Sequence, residues 1–183
     1  MSKIILRALT IEDAKTSWQW RNKEEIMNLY SGHPFPVNYE LEKSWYEKVM
    51  YSNFPTTVFA VDIINDGIKT FIGITTLTGI NMLNRTSDFS ILIGDEKHRG
   101  KGYSKQATID TLLFGFKKIG LNKISLKVRE GNTIAYNLYK KIGFVQEGFL
   151  KESVFRNNEM HNEILMAVFK NDFLINENSH LNI

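Results

Sequence analysis

Ser87-Asp88-Phe89-Ser90-Ile91-Leu92-Ile93-Gly94-Asp95-Glu96-Lys97-His98-Arg99-Gly100-Lys101-Gly102-Tyr103-Ser104 is the stretch on which the fold turns. Its first half alternates, with Phe89, Ile91 and Ile93 on one face of a strand and Asp88, Ser90 and Leu92 on the other. Its second half is rich in glycine and charge and leads into a helical pattern, Ile109, Leu112, Leu113 and Phe116 at i, i+3, i+4 and i+7, which Gly120 ends. Glycines between a strand and a helix let the backbone approach a ligand. The free amides of the first helical turn, with the helix dipole, suit a phosphate or pyrophosphate. Arg99 and Lys101 add charge. Taken alone, so short a pattern reads equally as a flexible glycine turn with solvated cations. It is neither the Gly-x-x-x-x-Gly-Lys-Ser/Thr loop of nucleoside triphosphate binding nor the Gly-x-Gly-x-x-Gly of dinucleotides, so a diphosphate held by a different grip is implied.

Outward from this stretch, strands and helices alternate. Ile4-Ile5-Leu6 reads as a first strand, and Thr10, with Asp13 three residues on, caps a helix from about Ile11 that carries Trp18-Gln19-Trp20-Arg21-Asn22. His33-Pro34-Phe35-Pro36 breaks the chain before a second helix over about Leu41 to Met50. Two strands, residues 57–63 and 71–77, flank a turn at Asn65-Asp66-Gly67. Beyond Gly120, residues 123–128 form a strand, and Asn132 caps a helix containing Ile134, Ala135, Leu138, Tyr139 and Ile142, closed by Gly143. Residues 144–155 and 161–169 form a final hairpin around Asn157-Asn158. The predicted order is βααβββαβαββ, an α+β fold with a mixed central sheet of about seven strands and helices on both faces. Residues 1–172 form one domain, and 173–183 a polar, frayed tail.

Composition narrows the function by exclusion. In 183 residues, 43% are hydrophobic and 23% charged, as in ordinary soluble domains, and 23 lysines and arginines against 20 acids leave +3 with no basic block of the kind nucleic acid requires. No window reaches the roughly 18 apolar residues of a membrane span, and the charged start Met1-Ser2-Lys3 through Arg7 does not read as a leader, so a cytoplasmic protein without membrane partners is expected. The absence of cysteine excludes disulfides, thiolate metal sites and a cysteine nucleophile. The four histidines show no ligand spacing, so no metal is expected.

Two blocks carry a family resemblance: Ile93-Gly94-Asp95 through Arg99-Gly100-Lys101-Gly102-Tyr103, and Asn132-x-x-Ala135-x-x-Leu138-Tyr139-x-Lys141-x-Gly143-Phe144, with Glu147-Gly148 behind. Across about residues 3–172 the chain resembles the Gcn5-related N-acetyltransferases (GNAT), and within them the group acting on ribosomal-protein N-termini, on spermidine and other polyamines, and on amino sugars. That family's pyrophosphate loop is Gln/Arg-x-x-Gly-x-Gly/Ala. Arg99-x-x-Gly102-x-Ser104 matches it, with the small Ser104 in the last place.

The resemblance implies acetyl-CoA as co-substrate, lying where two neighbouring parallel strands splay apart. Its pantetheine would pair with Leu92, Ile93 and Gly94 of the first, its diphosphate would sit on Arg99 to Ser104, and Asn132 would bond the pantetheine arm. Tyr139 would be the general acid for the departing thiolate. Each of the last two also reads without function, as a helix cap and a buried helix-face tyrosine. Attack on the thioester needs an amine stripped of its proton, and an alkylamine holds that proton to a pKa of about 10.4. Asp88 is the candidate base, standing where that group often has glutamate and opposite the core-facing Phe89, although it also reads as an exposed strand aspartate. A backbone amide near Ile93 would polarise the carbonyl. The missing cysteine agrees with direct transfer in a ternary complex.

Trp20, Arg21 and Asn22 resemble the family's Trp-Arg-Asn at the start of the acceptor pocket, which His33 also lines in this reading. The expected acceptor is a primary amine of a small molecule, either a nucleotide-linked amino sugar, whose phosphate would suit Arg21, or a polyamine, which needs carboxylates. Asp13, Glu24, Glu25 and Glu40 lie in the right half for the latter. Protein N-termini as acceptors, or a non-catalytic acyl-CoA-binding domain, are the rival readings. The assembly is read as a monomer or a homodimer.

Overall fold

Two short turns set the sheet. In the computed structural model, which describes residues 3–29, 35–51 and 54–180, Asp66 and Gly67 take φ of 49° and 81°, and Asn157 and Asn158 take 51° and 62°. Two central residues with positive φ match the twist of paired strands, so each pair closes a tight hairpin. The first joins β2 (Thr57–Asn65) to β3 (Ile68–Asn81), the second β6 (Val145–Arg156) to β7 (Glu159–Phe169). With β1 (Lys3–Ala8), β4 (Thr86–Ile93) and β5 (Lys123–Arg129) they form one seven-stranded sheet in the order β1-β2-β3-β4-β5-β7-β6. Every neighbouring pair is antiparallel except β4 with β5.

Helices cover both faces, as expected. On one side lie α4 (Tyr103–Leu113, continued by a wider π turn over Phe114–Ile119) and α5 (Thr133–Ile142). Leu112 and Phe116 pack there with Phe89, Leu77 and Ile124. On the other lie α1 (Ile11–Arg21) and α3 (Tyr39–Met50), whose Ala14 and Tyr46 bury against Ala60 and Ile74.

Two expectations are corrected. Between β1 and β2 there are three helices, because Glu24–Leu29 forms a six-residue α2 too short and too polar to show a periodic signal. The segment read as a frayed polar tail is instead helix α6 (Lys170–His180), anchored by Phe173, which is 4% exposed and stacks 5.5 Å from the Phe116 ring. One apolar ring in a core slot outweighs the polarity of the residues around it. Among the described residues no helix is long and apolar enough to cross a membrane.

A buried charge cluster fixes α1 to the sheet. The Arg7 fork donates to both oxygens of Asp13 at 2.7 Å and to Asp62 Oδ2 at 2.7 Å, while Asp13 also accepts the Thr10 amide at 2.8 Å, one arm of the expected capping box. Burial alone would raise the Asp13 carboxyl, but Arg7 and Thr10 overcome it and hold the group below the usual carboxylate range. A lowered folded pKa means this stabilisation is present above the ordinary aspartate value near pH 4 and is lost as pH falls through the folded value. Arg7→Met strands two carboxylates that are almost fully buried. We expect it to lower unfolding free energy by about 2–4 kcal/mol in urea titration, and to flatten the acid limb of stability that the wild type shows.

Candidate active site

The site begins where the sheet splits. β4 and β5 pair in parallel through Thr86↔Lys123, Ser87↔Ile124 and Asp88↔Ser125 only. Beyond Asp88, β4 pairs with β3 alone, up to Ile93↔Gly73, and β5 with β7 alone, so the edge of β4 that faces β5 has no strand partner from Phe89 to Ile93. Main-chain groups in a cleft without partners are available to a ligand.

The glycine loop opens at the end of this split. Gly100 and Gly102 adopt φ of +71° and +83°, and a Cβ at either would meet nothing within 4 Å. Gly102 is the N-cap of α4 and supplies no side-chain cap, which leaves the first-turn amides of Tyr103, Ser104 and Lys105 without an intrahelical acceptor. Such a concavity fits a diphosphate. Arg99 is placed otherwise than expected. Its Nε donates to Ile93 O at 3.0 Å, its Nη2 to Gly94 O at 3.2 Å, and its Nη1 meets Glu25 at 2.8 Å. The fork thus holds the frayed end of β4 and ties it to α2. Lys101 is exposed beside the loop and is the cation placed to face an anion there.

Helix α5 closes the other side. Asn132 Oδ1 caps the helix by accepting the Ala135 amide at 3.2 Å, which leaves its amide group without a partner among the described residues. Tyr139 packs edge-on against Phe89 with ring centroids 6.4 Å apart, and against Phe144 at 5.5 Å. Phe89 is the first residue past the last parallel pair, so Tyr139 sits just inside the closed end of the split. Burial pushes its phenol up to about 12, so it stays protonated throughout the neutral range. Asp88 stands at the apex in the last parallel pair, exposed on the face opposite Phe89.

The expected acceptor residues divide. Trp20 is 5% exposed, stacked 4.9 Å from Phe71, and its ring occupies the space a Cβ on Gly94 would need, so it is a packing residue. Asn22 is the C-cap of α1 and clamps Val37 through its backbone amide at 2.9 Å and carbonyl at 2.6 Å. Arg21 reaches Glu42 Oε2 at 3.4 Å. His33 lies outside the described residues. Among the sequence's acidic candidates, Asp13 is taken by Arg7 and Glu25 by Arg99. Sequence reasoning passed over Glu42, which is 1% exposed and accepts from Ser17 Oγ at 2.6 Å. Its signal was the shared helix face of Glu42 and Tyr46, four residues apart and both buried. Among the described residues no group of three or more His, Cys, Asp or Glu side chains is arranged to hold a metal ion.

A family model described as an acetyltransferase (GNAT) domain matches residues 3–145. The chain belongs to the GNAT acetyltransferase family. It is an acetyl-CoA-dependent N-acetyltransferase with the mixed-sheet GNAT fold. It is 31% identical over 173 residues to the spermidine N(1)-acetyltransferase of Vibrio cholerae, covering 94% of this chain and 96% of that one. To the spermidine N(1)-acetyltransferase of Escherichia coli K12 it is 31% identical over 169 residues, covering 92% and 87%. The crystal structure of spermidine N-acetyltransferase from Vibrio cholerae in complex with CoA and spermine superposes with a TM-score of 0.86 at 29% identity, over 93% of this chain and 98% of that one.

In this GNAT enzyme Gly94 touches both halves of the site, since Trp20 lies over it and Arg99 holds its carbonyl. Gly94→Ala forces the buried indole out of its slot. We expect a loss of about 1–3 kcal/mol in denaturant unfolding, the usual cost of overpacking; unchanged stability would show that Trp20 is not held there.

Proposed function

We propose that this enzyme transfers the acetyl group of acetyl-CoA to a primary amine of a polyamine by direct attack in a ternary complex. The observation that carries the reading is the split of β4 from β5, with Tyr139 beside its closed end and the uncapped amides of α4 at its open end. In it, pantetheine lies along β4 at Leu92, Ile93 and Gly94 and is met by the free amide group of Asn132. The diphosphate rests on the backbone from Gly100 to Ser104 with Lys101 beside it, and Arg99 acts by holding β4 rather than by touching phosphate. Asp88, through water, takes the proton of the alkylammonium. The neutral nitrogen adds to the thioester carbon, whose oxygen is polarised by a backbone amide near Ile93. The C–S bond then breaks, the thiolate takes its proton from Tyr139, and the extra proton on the acetylated nitrogen returns the tyrosinate to the phenol. A phenol held near 12 is a weak acid for this task but is always in its acid form, so no alkaline limb in the rate below about pH 11 belongs to it.

Two facts favour a polyamine over a sugar nucleotide. Two relatives that are 31% identical over 173 and 169 residues are spermidine N(1)-acetyltransferases. Arg21, the cation suited to an acceptor phosphate, is already paired with Glu42. Thiol release from acetyl-CoA, measured across spermidine, an amino-sugar nucleotide and an N-terminal peptide, is expected to be fastest with spermidine. Faster release with either of the others would sink the polyamine assignment.

For the mechanism, Tyr139→Phe is expected to lower kcat by about 10- to 100-fold with acetyl-CoA affinity nearly unchanged. Unaltered turnover would remove Tyr139 from the chemistry. For the loop, Gly102→Asp puts a carboxylate against the diphosphate and a side chain on a left-handed backbone. Calorimetry should show acetyl-CoA binding weakened at least about tenfold, and equal affinity would move the diphosphate elsewhere.

A further inference from the structure

Beneath β4, on the face away from α4 and α5, the sheet and the α1–α3 pair enclose a small cavity of about 30 Å³. Its floor is the same run of β4 whose free edge borders the split, with Ser90 and Leu92 pointing into it. One end is polar. Glu42, 1% exposed, presents a carboxylate that accepts from Ser17 Oγ at 2.6 Å and from Arg21 Nη1 at the longer 3.4 Å. A carboxylate offers about four acceptor positions, and a buried one held by a single short bond and a single long one remains short of donors. Arg21 keeps about a quarter of its side chain in solvent and meets Glu42 only at this longer distance. The hydroxyls of Thr76 and Ser90, 2.7 Å apart, add two further acceptors at the floor. The other end is apolar, made by Trp45, Ile74 and Leu92. A carboxylate and hydroxyls followed by an indole and two aliphatic side chains match a primary ammonium followed by methylenes, with the indole face also open to a cation. The volume suits one ammonium head or a water or two.

We propose that Glu42 is the specificity-determining residue for the acceptor, holding the ammonium group that is not acetylated while the methylene spacer runs along Leu92 toward the split. This rests on the reading of the acceptor as a polyamine. It gives the buried carboxylate a task beyond joining α1 to α3, and it leaves Arg21 as its cationic partner while the cavity is free of acceptor. Ser17 holds the carboxylate in register.

The test is acceptor preference, taken as the ratio of kcat/KM for spermidine to that for hexylamine, measured by thiol release at saturating acetyl-CoA. Glu42→Gln keeps the shape of the side chain and an oxygen for Ser17 but removes the charge. We expect the ratio to fall about tenfold or more, the scale of one charge-assisted hydrogen bond. A purely structural Glu42 lowers both rates together and leaves the ratio where it was, which overturns the proposal. Should Glu42→Gln fail to fold, Glu42→Asp retains the charge but withdraws it by one methylene. It is expected to lower the ratio about threefold, and an unchanged ratio again overturns the proposal. An enzyme that acetylates neither amine overturns the polyamine reading instead. Calorimetry of spermidine binding to the CoA-loaded protein then decides Glu42 on its own. Wild-type binding about tenfold tighter than that of the variant supports the role, while equal binding, or no binding, rejects it.

Discussion

Past Asp88, the backbone of β4 carries hydrogen-bonding groups on an edge that no strand satisfies, and the rest of the architecture answers to that constraint. Buried main-chain groups must find partners, so a strand that leaves its neighbour inside a sheet needs a substitute. Here the substitutes are local and few. Arg99 takes the carbonyl of Ile93, the last residue of β4, and that of Gly94 just beyond it. What remains open between Phe89 and Ile93 is a strand-shaped slot with a tyrosine at one end and a helix N-terminus at the other. An extended arm with amide groups and a diphosphate tail complements it.

The electrostatics follow the same economy. A net charge of +3 gives little hint of partners, and the fold shows why. Arg7 is committed to Asp13 and Asp62, Arg21 to Glu42, and Arg99 to Glu25. These guanidiniums are internal braces, suited to the work by a planar fork that reaches two acceptors at once. The exposed Lys101 stands next to the anion-binding loop, and Asp88 is exposed on the other face of the strand. The guanidiniums are thus paired with carboxylates inside the fold, while the exposed Lys101 beside the glycine loop and the exposed Asp88 stand apart from them.

Much of this was legible from residue order. Asp66-Gly67 and Asn157-Asn158 announced their hairpins because few residues tolerate their backbone angles, and the alternation around Phe89 named the two faces of β4 correctly. Asn132 through Phe144 gave α5 with both of its caps. What escaped was set by tertiary contact. Helix α2 is too short for periodicity, and α6 is held by the buried Phe173 with the neighbouring Leu174 within a polar run. Trp20 and Asn22 matched a motif whose indole and amide go into packing and a chain clamp. A glutamate in the first turn of a helix reads as a solvent-facing charge suited to the helix dipole; beyond the shared face with Tyr46, what buries Glu42 is the arrival of Ser17 and Arg21 from a helix distant in sequence.

The narrowness of the β4–β5 contact has a mechanical side. β1 to β4 and β5 to β7 are each complete antiparallel assemblies, joined across the sheet by three paired positions and by the Arg85 carbonyl, which receives the amides of Asn122 and Lys123. Along the slot, the spacing of the two assemblies is set by side-chain packing, with Phe89, Leu112, Phe116, Ile124 and Leu126 in one continuous cluster, and not by strand hydrogen bonds. The seam is thus the closed end of the V. Asp88 belongs to it, and Phe89, against which Tyr139 packs, follows directly, so both groups stand where strand pairing still holds the two assemblies together.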